Sequence, residues 1–414
     1  FYCTFEDYLK PLSYGGGEYA THFDFICSIF SREAIEQGSF DHWASDNKRR
    51  GTSEVDREFL QMISAWREEL AKNIAARNLA IGVRDLNLAV QRIIDRLVFL
   101  RFAEDRGAEQ FENLKGIALD KEKHGVHAEL AAAFEAARVK YNSDLFEKNA
   151  MLEALALDDK VLSGIIKSMY YPDCPYEFSV MPLEILGSAY EQFLGKTIRV
   201  EGGEKRHRAV IEEKPEVRKA GGVYYTPQYI VDYIVTETVG KKLEGATPES
   251  AASLRIVDPA CGSGSFLIGV YTRLLDWYQA QYTRDEAAVK KALRSGALFE
   301  RASGDWRLTL EEKRRILTTH IHGVDIDAQA VEVTKLSLFL KLLEDGGMIA
   351  GQGTIALAHD KILPNLDANI KCGNSLIGPD YYDDKELSLF ADDDMTRINA
   401  FDWHAAFPEV FKAG

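Results

Sequence analysis

The sequence predicts an α/β domain built on a parallel sheet and preceded by an all-helical region. Three observations predict it. Residues 1 to about 195 carry apolar stripes at three- and four-residue steps and read mainly as helix. Further on, the short apolar runs LRIVD, IHGVD and IKCG recur with longer helix-like stretches between them, the rhythm of strands joined by crossover helices. Each short run also opens into small or acidic residues (DPACGSG, DIDAQ, GNSL), where an open parallel sheet holds its ligands.

With 414 residues the chain is long enough for two or three domains and a substantial core, and 46% hydrophobic with 28% charged residues is ordinary for a globular protein. It opens on Phe1, without a signal peptide, and residues upstream are expected to be missing. Cys3, Cys27, Cys174, Cys261 and Cys372 form no CxxC pair. That spacing speaks against a zinc site or a disulfide framework, so no metal is expected and a reducing cytoplasm is. The net charge of −15 argues against a chain that is, as a whole, a nucleic-acid grip. Lys48-Arg49-Arg50 and Lys205-Arg206-His207-Arg208 read as solvated loops.

Taken in order, SEVDREFLQMISAWREELAKNIAARN opens on Ser53 as a plausible cap and places Val55, Phe59, Met62, Ile63, Trp66, Leu70 and Ile74 on one stripe. VRDLNLAVQRIIDRLVFLRFAEDRG repeats the pattern and stops at Gly107. PLEILGSAYEQFLGK, from Pro182, has proline near its start and glycine near its end. All three stripes read as core packing. The mixed segment between Lys196 and Gly222 sustains neither period and is expected to be a linker or crossing loop. The division expected is therefore 1–195 helical, 196–222 linker, and 223–414 α/β, with a long helical excursion from Leu267 to about Thr319.

The loops carry the chemistry. Asp258 closes the first strand, with Gly262 and Gly264 behind it, so that the backbone turns tightly and approaches a ligand closely. A dinucleotide fingerprint wants a third glycine where Leu267 stands, and a phosphate-binding loop wants Gly-Lys-Ser/Thr, which does not occur. Both pyrophosphate readings weaken. Asp325, at the tip of the second strand, is placed to accept two ribose hydroxyls, with Asp327 as helix cap. It lies much further from Asp258 than the roughly twenty residues of a dinucleotide unit, so a helical insertion is required. Tyr225-Thr226-Pro227 precedes an apolar helix, with Thr226 as a natural cap and Pro227 in the first turn.

The order Tyr-Thr-Pro, Asp-Pro-Ala-Cys-Gly-Ser-Gly, Gly-Val-Asp-Ile-Asp, Gly-Asn-Ser-Leu resembles the S-adenosylmethionine-binding half of adenine-specific (N6) DNA methyltransferases. The resemblance implies a Rossmann-like methyltransferase domain, here incomplete. It implies that Tyr225, Thr226, Pro227, Asp258, Ala260, Gly262 and Gly264 line the methionine side of the cofactor. Asp325 would bind the ribose, Ile326 would pack on adenine, and Asn374 would meet the adenine edge. The helical segments before it look like the connector of type IIG restriction–modification enzymes and related phage-defence methyltransferases. Double-stranded DNA is then the implied partner, held largely by domains outside this chain.

In that family Asn/Asp-Pro-Pro-Tyr/Phe holds the target amino nitrogen, usually on a flipped base. No such tetrapeptide occurs in the 414 residues. It is expected beyond Gly414, so no catalytic residue is assigned and these residues alone are expected to be inactive. His404 and Glu409 are read as structural. No nuclease core is evident, and Glu122 with His124, or Glu213 near Lys214, lack a strand context and an acidic partner. Three alternatives stay open: a methyltransferase acting on RNA or protein, a nicotinamide-dependent oxidoreductase, and a non-catalytic cofactor-binding subunit of a defence complex.

Overall fold

The stripes of the first region do form helices. In the computed structural model, α1 (Gly51–Arg77) begins two residues before the expected Ser53 cap and buries Phe59, Ile63, Trp66, Leu70 and Ile74. α2 (Val83–Asp105) is buried almost all round, with Leu86, Val90, Ile93, Ile94, Leu97 and Leu100 inside. It ends at Arg106, followed by Gly107 at φ +71°, the left-handed residue that commonly stops a helix. The structure describes residues 2–3, 12–13, 19–31, 51–119, 125–141, 144–174, 178, 181, 183–203, 206–214, 226–300, 305–344, 363–382 and 398–411. No helix among them is long and apolar enough to cross a membrane.

α3 (Leu183–Leu194) follows, and then the expected linker proves to contain an antiparallel hairpin. Strands β1 (Lys196–Gly203) and β2 (Arg206–Glu213) pair with Ile198 opposite Ile211 and Val200 opposite Ala209. The reason lies in its one-sidedness. Only this narrow apolar face packs on the core, while Arg199 and Glu212 form an ion pair on the hairpin. The charged residues between mask the period of two. Asn87 of α2 fastens the hairpin, its Nδ2 donating to the Ile198 carbonyl at 2.8 Å and its Oδ1 accepting from the Ile198 amide at 3.0 Å.

The sheet follows the expected rhythm. β3 (Ile256–Asp258), β4 (Ile321–Asp325) and β5 (Ile370–Cys372) run parallel in the order β3-β4-β5, with Asp258 level with Gly323 and Asp325 level with Cys372. Before it, α4 (Gln228–Val235) packs on α5 (Ser265–Thr283), Val231 lying against Gly269. The excursion between β3 and β4 is not all helix. It holds α5, a helix at Glu286–Arg294, a small hairpin (Leu298–Glu300 with Trp306–Leu308), and α6 (Leu310–His320). Three-residue strands are too short to display an alternation. α7 (Ala328–Leu342) leaves β4 and packs against α3 and α2. Its apolar residues and those of the helical region join one continuous core.

Candidate functional site

Three loops meet at the carboxyl ends of the parallel strands. The loop after β3 turns through Gly262 and Gly264 at φ +53° and +87°, the left-handed region that glycine occupies at no steric cost. A side chain at Gly264 would also crowd Thr334 of α7, whose Cγ2 stands 3.0 Å from the place a Cβ would take. Thr334 Oγ1 donates to the Gly262 carbonyl at 2.8 Å, which fastens the loop from beneath. Leu267, where a dinucleotide loop keeps glycine, is buried in the core.

Every amide from Ala260 to Gly264 donates within the protein. Ala260 N–H bonds Asp258 Oδ1 at 3.0 Å, and Cys261 N–H bonds the Val324 carbonyl at 3.0 Å. Gly262 N–H bonds Asp325 Oδ2 at 2.8 Å, and Ser263 N–H bonds Glu191 Oε2 at 3.2 Å. Gly264 N–H bonds the Cys261 carbonyl at 2.8 Å. A phosphate-binding loop works by offering such donors to an anion. This loop has given three of them to carboxylates, so it presents negative charge instead.

Asp325 also accepts from the Asp327 amide at 2.9 Å through its other oxygen, and its own carbonyl accepts from Gly373 N–H at 2.8 Å. The loops after β3, β4 and β5 are thereby tied together. Each carboxylate oxygen retains a second lone pair for a ligand hydroxyl. Burial raises the carboxyls of Asp325 and Asp258 above the usual range, and the neighbouring Asp327 and Asp325 charges add to it. Burial raises Glu191 as well, with Asp325 and Asp327 contributing. Asp327 caps α7 as expected, accepting from Gln329 N–H at 2.9 Å, and pairs with Lys214 at the end of the hairpin.

The other expected residues fall as follows. Ala260 is exposed beside Asp258, and Ile326 offers an exposed apolar side chain next to Asp325. Asn374 follows β5, but its Oδ1 accepts from Leu376 N–H at 3.1 Å, so a ligand would meet chiefly its amide donors. Leu376 beside it is 93% exposed, an open apolar surface at the same end of the sheet. Thr226 and Pro227 precede α4, but Pro227, not Thr226, stands at the cap position, and no side chain among the described residues caps the helix. Proline has no side-chain acceptor to offer the first-turn amides, so a residue of this type at that position cannot cap the helix. No hydrogen bond joins Thr226 or Pro227 to the glycine loop among the described residues. Tyr225 lies outside the described residues. His404, read as structural, packs against Phe411 in a tilted contact with 4.2 Å between ring centroids.

Four contributors were not foreseen: Glu191, Thr334, Lys214 and Arg67. Arg67 is buried on α1, where its guanidinium donates to the carbonyls of Phe193 (3.2 Å) and Lys196 (3.1 Å). Burial lowers its pKa to about 10, and the Asp327 charge works against that. It clamps the end of α3, the helix that carries Glu191. In sequence all four sit within apolar stripes or charged runs, and only tertiary structure brings them to the loop.

Comparison with known proteins adds an independent line. The family model described as MmeI, DNA-methyltransferase domain, matches residues 238–380, which include all three parallel strands. The chain is 32% identical over 362 residues to the type II restriction enzyme and methyltransferase RM.Eco57I of Escherichia coli, covering 87% of this chain and 34% of that protein. It is 24% identical over 264 residues to the adenine-specific methyltransferase BrxX of Escherichia coli O9:H4 (strain HS), covering 56% of this chain and 18% of the relative. The chain thus spans about a third or less of the length of these relatives. Among solved structures, the type IIL restriction–modification enzyme MmeI in complex with DNA aligns at a TM-score of 0.43 and 16% identity, over 76% of this chain and 40% of that one.

Proposed function

We propose, from its similarity to restriction–modification methyltransferases, that the chain forms the cofactor-binding part of an adenine-N6 DNA methyltransferase that uses S-adenosylmethionine. Residues 223–414 are the cofactor-binding part of a Rossmann-like methyltransferase domain. Residues 1–195 are the helical connector, with 196–222 crossing between them. Double-stranded DNA is the substrate class, engaged largely by other parts of the protein.

One observation carries this reading: the glycine loop spends its Gly262 and Ser263 amides on the carboxylates of Asp325 and Glu191. A pyrophosphate would meet repulsion there. S-adenosylmethionine brings hydroxyls, an ammonium and a positive sulfonium, which suit a site rich in acceptors. Asp325 would take the ribose hydroxyls, and the exposed Ile326 would pack on the adenine, with Asn374 at its edge. Asp258, Ala260 and the turn through Gly262 and Gly264 would lie along the methionine portion, with Tyr225, Thr226 and Pro227 closing it.

When bound, the cofactor supplies an electrophilic methyl group on sulfur. The chain's own residues bind and orient it. The Asn-Pro-Pro-Tyr type of motif that would hold a target amino nitrogen is absent from the 414 residues. These residues therefore bind the donor without transferring its methyl group. Calorimetric titration tests the reading, with S-adenosylmethionine expected to bind and NAD not. Saturable binding of NAD without binding of S-adenosylmethionine would reverse it. Methyl transfer from radiolabelled cofactor to DNA by these residues alone would refute the division of labour.

A further inference from the structure

Glu191 does more than the loop's shape requires. Ser263 N–H needs an acceptor, and a neutral amide oxygen would serve it. The protein instead holds a half-buried carboxylate there, on a helix from outside the sheet region, beside the carboxylates of Asp325 and Asp327. Lys214 compensates Asp327. Among the described residues no lysine or arginine forms an ion pair with Glu191. A shielded, uncompensated carboxylate is costly unless a cation arrives. It also sits within reach of the ligand cradle, 3.3 Å from where a Cβ on Gly262 would lie.

S-adenosylmethionine and its demethylated product, S-adenosylhomocysteine, share adenine, ribose and amino-acid groups. They differ by a methyl group and one positive charge on sulfur. Resting on the function proposed above, we propose that Glu191 is a specificity-determining residue whose negative charge makes the site prefer the sulfonium donor over the neutral thioether product. In a working enzyme this preference favours exchange of product for fresh donor.

The test compares affinities by calorimetry on the full chain, unaltered and as Glu191→Gln and Glu191→Asp. Glutamine keeps an oxygen for Ser263 N–H and removes the charge, and aspartate keeps the charge. Glu191→Gln is expected to weaken S-adenosylmethionine about threefold to tenfold, the scale of one charge acting across a partly shielded site, and to leave S-adenosylhomocysteine within about twofold. Glu191→Asp is expected to preserve the ratio of the two affinities even if both fall. Equal weakening of both ligands by Glu191→Gln, or a changed ratio in Glu191→Asp, would show a role in loop shape alone and overturn the inference. The function proposed above would then still stand. Should the glutamine variant fail to fold by circular dichroism, sinefungin on the unaltered chain decides. It carries an ammonium near the sulfonium position and is expected to bind like S-adenosylmethionine, and binding as weak as that of S-adenosylhomocysteine would overturn the inference. If the unaltered chain binds none of the three, the proposed function fails and this inference with it.

Discussion

Gly264 and Asp325 mark the two ways a single residue can matter at this site. At φ +87° a Cβ on Gly264 is strained by its own backbone and also meets Thr334 at 3.0 Å. Gly264→Ala is expected to cost about 1–3 kcal/mol of stability, the range for a non-glycine residue forced into a sparsely populated region, plus any displacement of Thr334. Urea unfolding measures it. Asp325→Asn works differently. One of its two oxygens becomes an amide donor, facing either Gly262 N–H or Asp327 N–H, where an acceptor is needed. The loop then loses one tie, and S-adenosylmethionine affinity is expected to fall about tenfold or more, in line with a lost charge-assisted bond. Calorimetry would read it, and an unchanged affinity would remove Asp325 from the site. Both residues were legible in the sequence because they sit in short motifs whose spacing follows from strand, turn and helix. Glu191 was not, since its bond to Ser263 spans 72 residues and its helix reads as an ordinary core stripe.

At the scale of elements, what positions α3 decides how the helical region meets the loop. Arg67 donates to the Phe193 carbonyl in the last turn of that helix and to the Lys196 carbonyl at the start of β1, and lies over the Phe193 ring, 5.5 Å from its centroid. Arg67→Met would keep much of the buried volume and leave both carbonyls without this donor. Stability is expected to fall by about 1–3 kcal/mol, the usual cost of a buried polar group losing its partner. Both S-adenosylmethionine and S-adenosylhomocysteine should weaken together, because α3 loosens while Glu191 keeps its charge. Paired denaturation and titration would check this, and a selective loss of one ligand would contradict it. The helices themselves were legible, since periodic stripes of this length leave little ambiguity. The β1–β2 hairpin was hidden because its apolar face is narrow and its other residues are charged. The short pair at Leu298–Glu300 and Trp306–Leu308 was hidden by its length.

Across the whole molecule, helical region and sheet share one core, and polar groups buried in it couple the two. Arg92 of α2 pairs with Glu332 of α7 at 2.7 Å. One turn on, Asp95 is fully buried, accepting from Tyr190 Oη at 2.6 Å and Gln91 Nε2 at 2.8 Å, while its Oδ2 has no hydrogen-bond partner among the described residues. Tyr190 immediately precedes Glu191, so this junction stands directly behind the proposed cofactor loop. Burial raises the Asp95 carboxyl to about 7 from 3.8, against the two hydrogen bonds that favour its charged form. Below about pH 4 both folded and unfolded chains hold the proton, and burial of the neutral acid adds no penalty. Between about 4 and 7 the unfolded chain releases the proton first, so the folded state loses stability as the pH rises. Above 7 the loss is complete, on the order of 4 kcal/mol at 1.36 kcal/mol per pH unit. His320 acts in the opposite sense. Burial lowers its pKa, so the folded state loses stability as the pH falls through the ordinary histidine range. Asp95→Asn separates the two. Relative to the unaltered chain it is expected to gain stability progressively from pH 4 to 7, while the loss owed to His320 on the acid side is common to both chains. Denaturant unfolding across that range tests the sign. A stability difference between the two chains that stays flat from pH 4 to 7 would mean that Asp95 is already ionised in the folded core. The junction between helical region and sheet would then carry a buried charge rather than a buried acid.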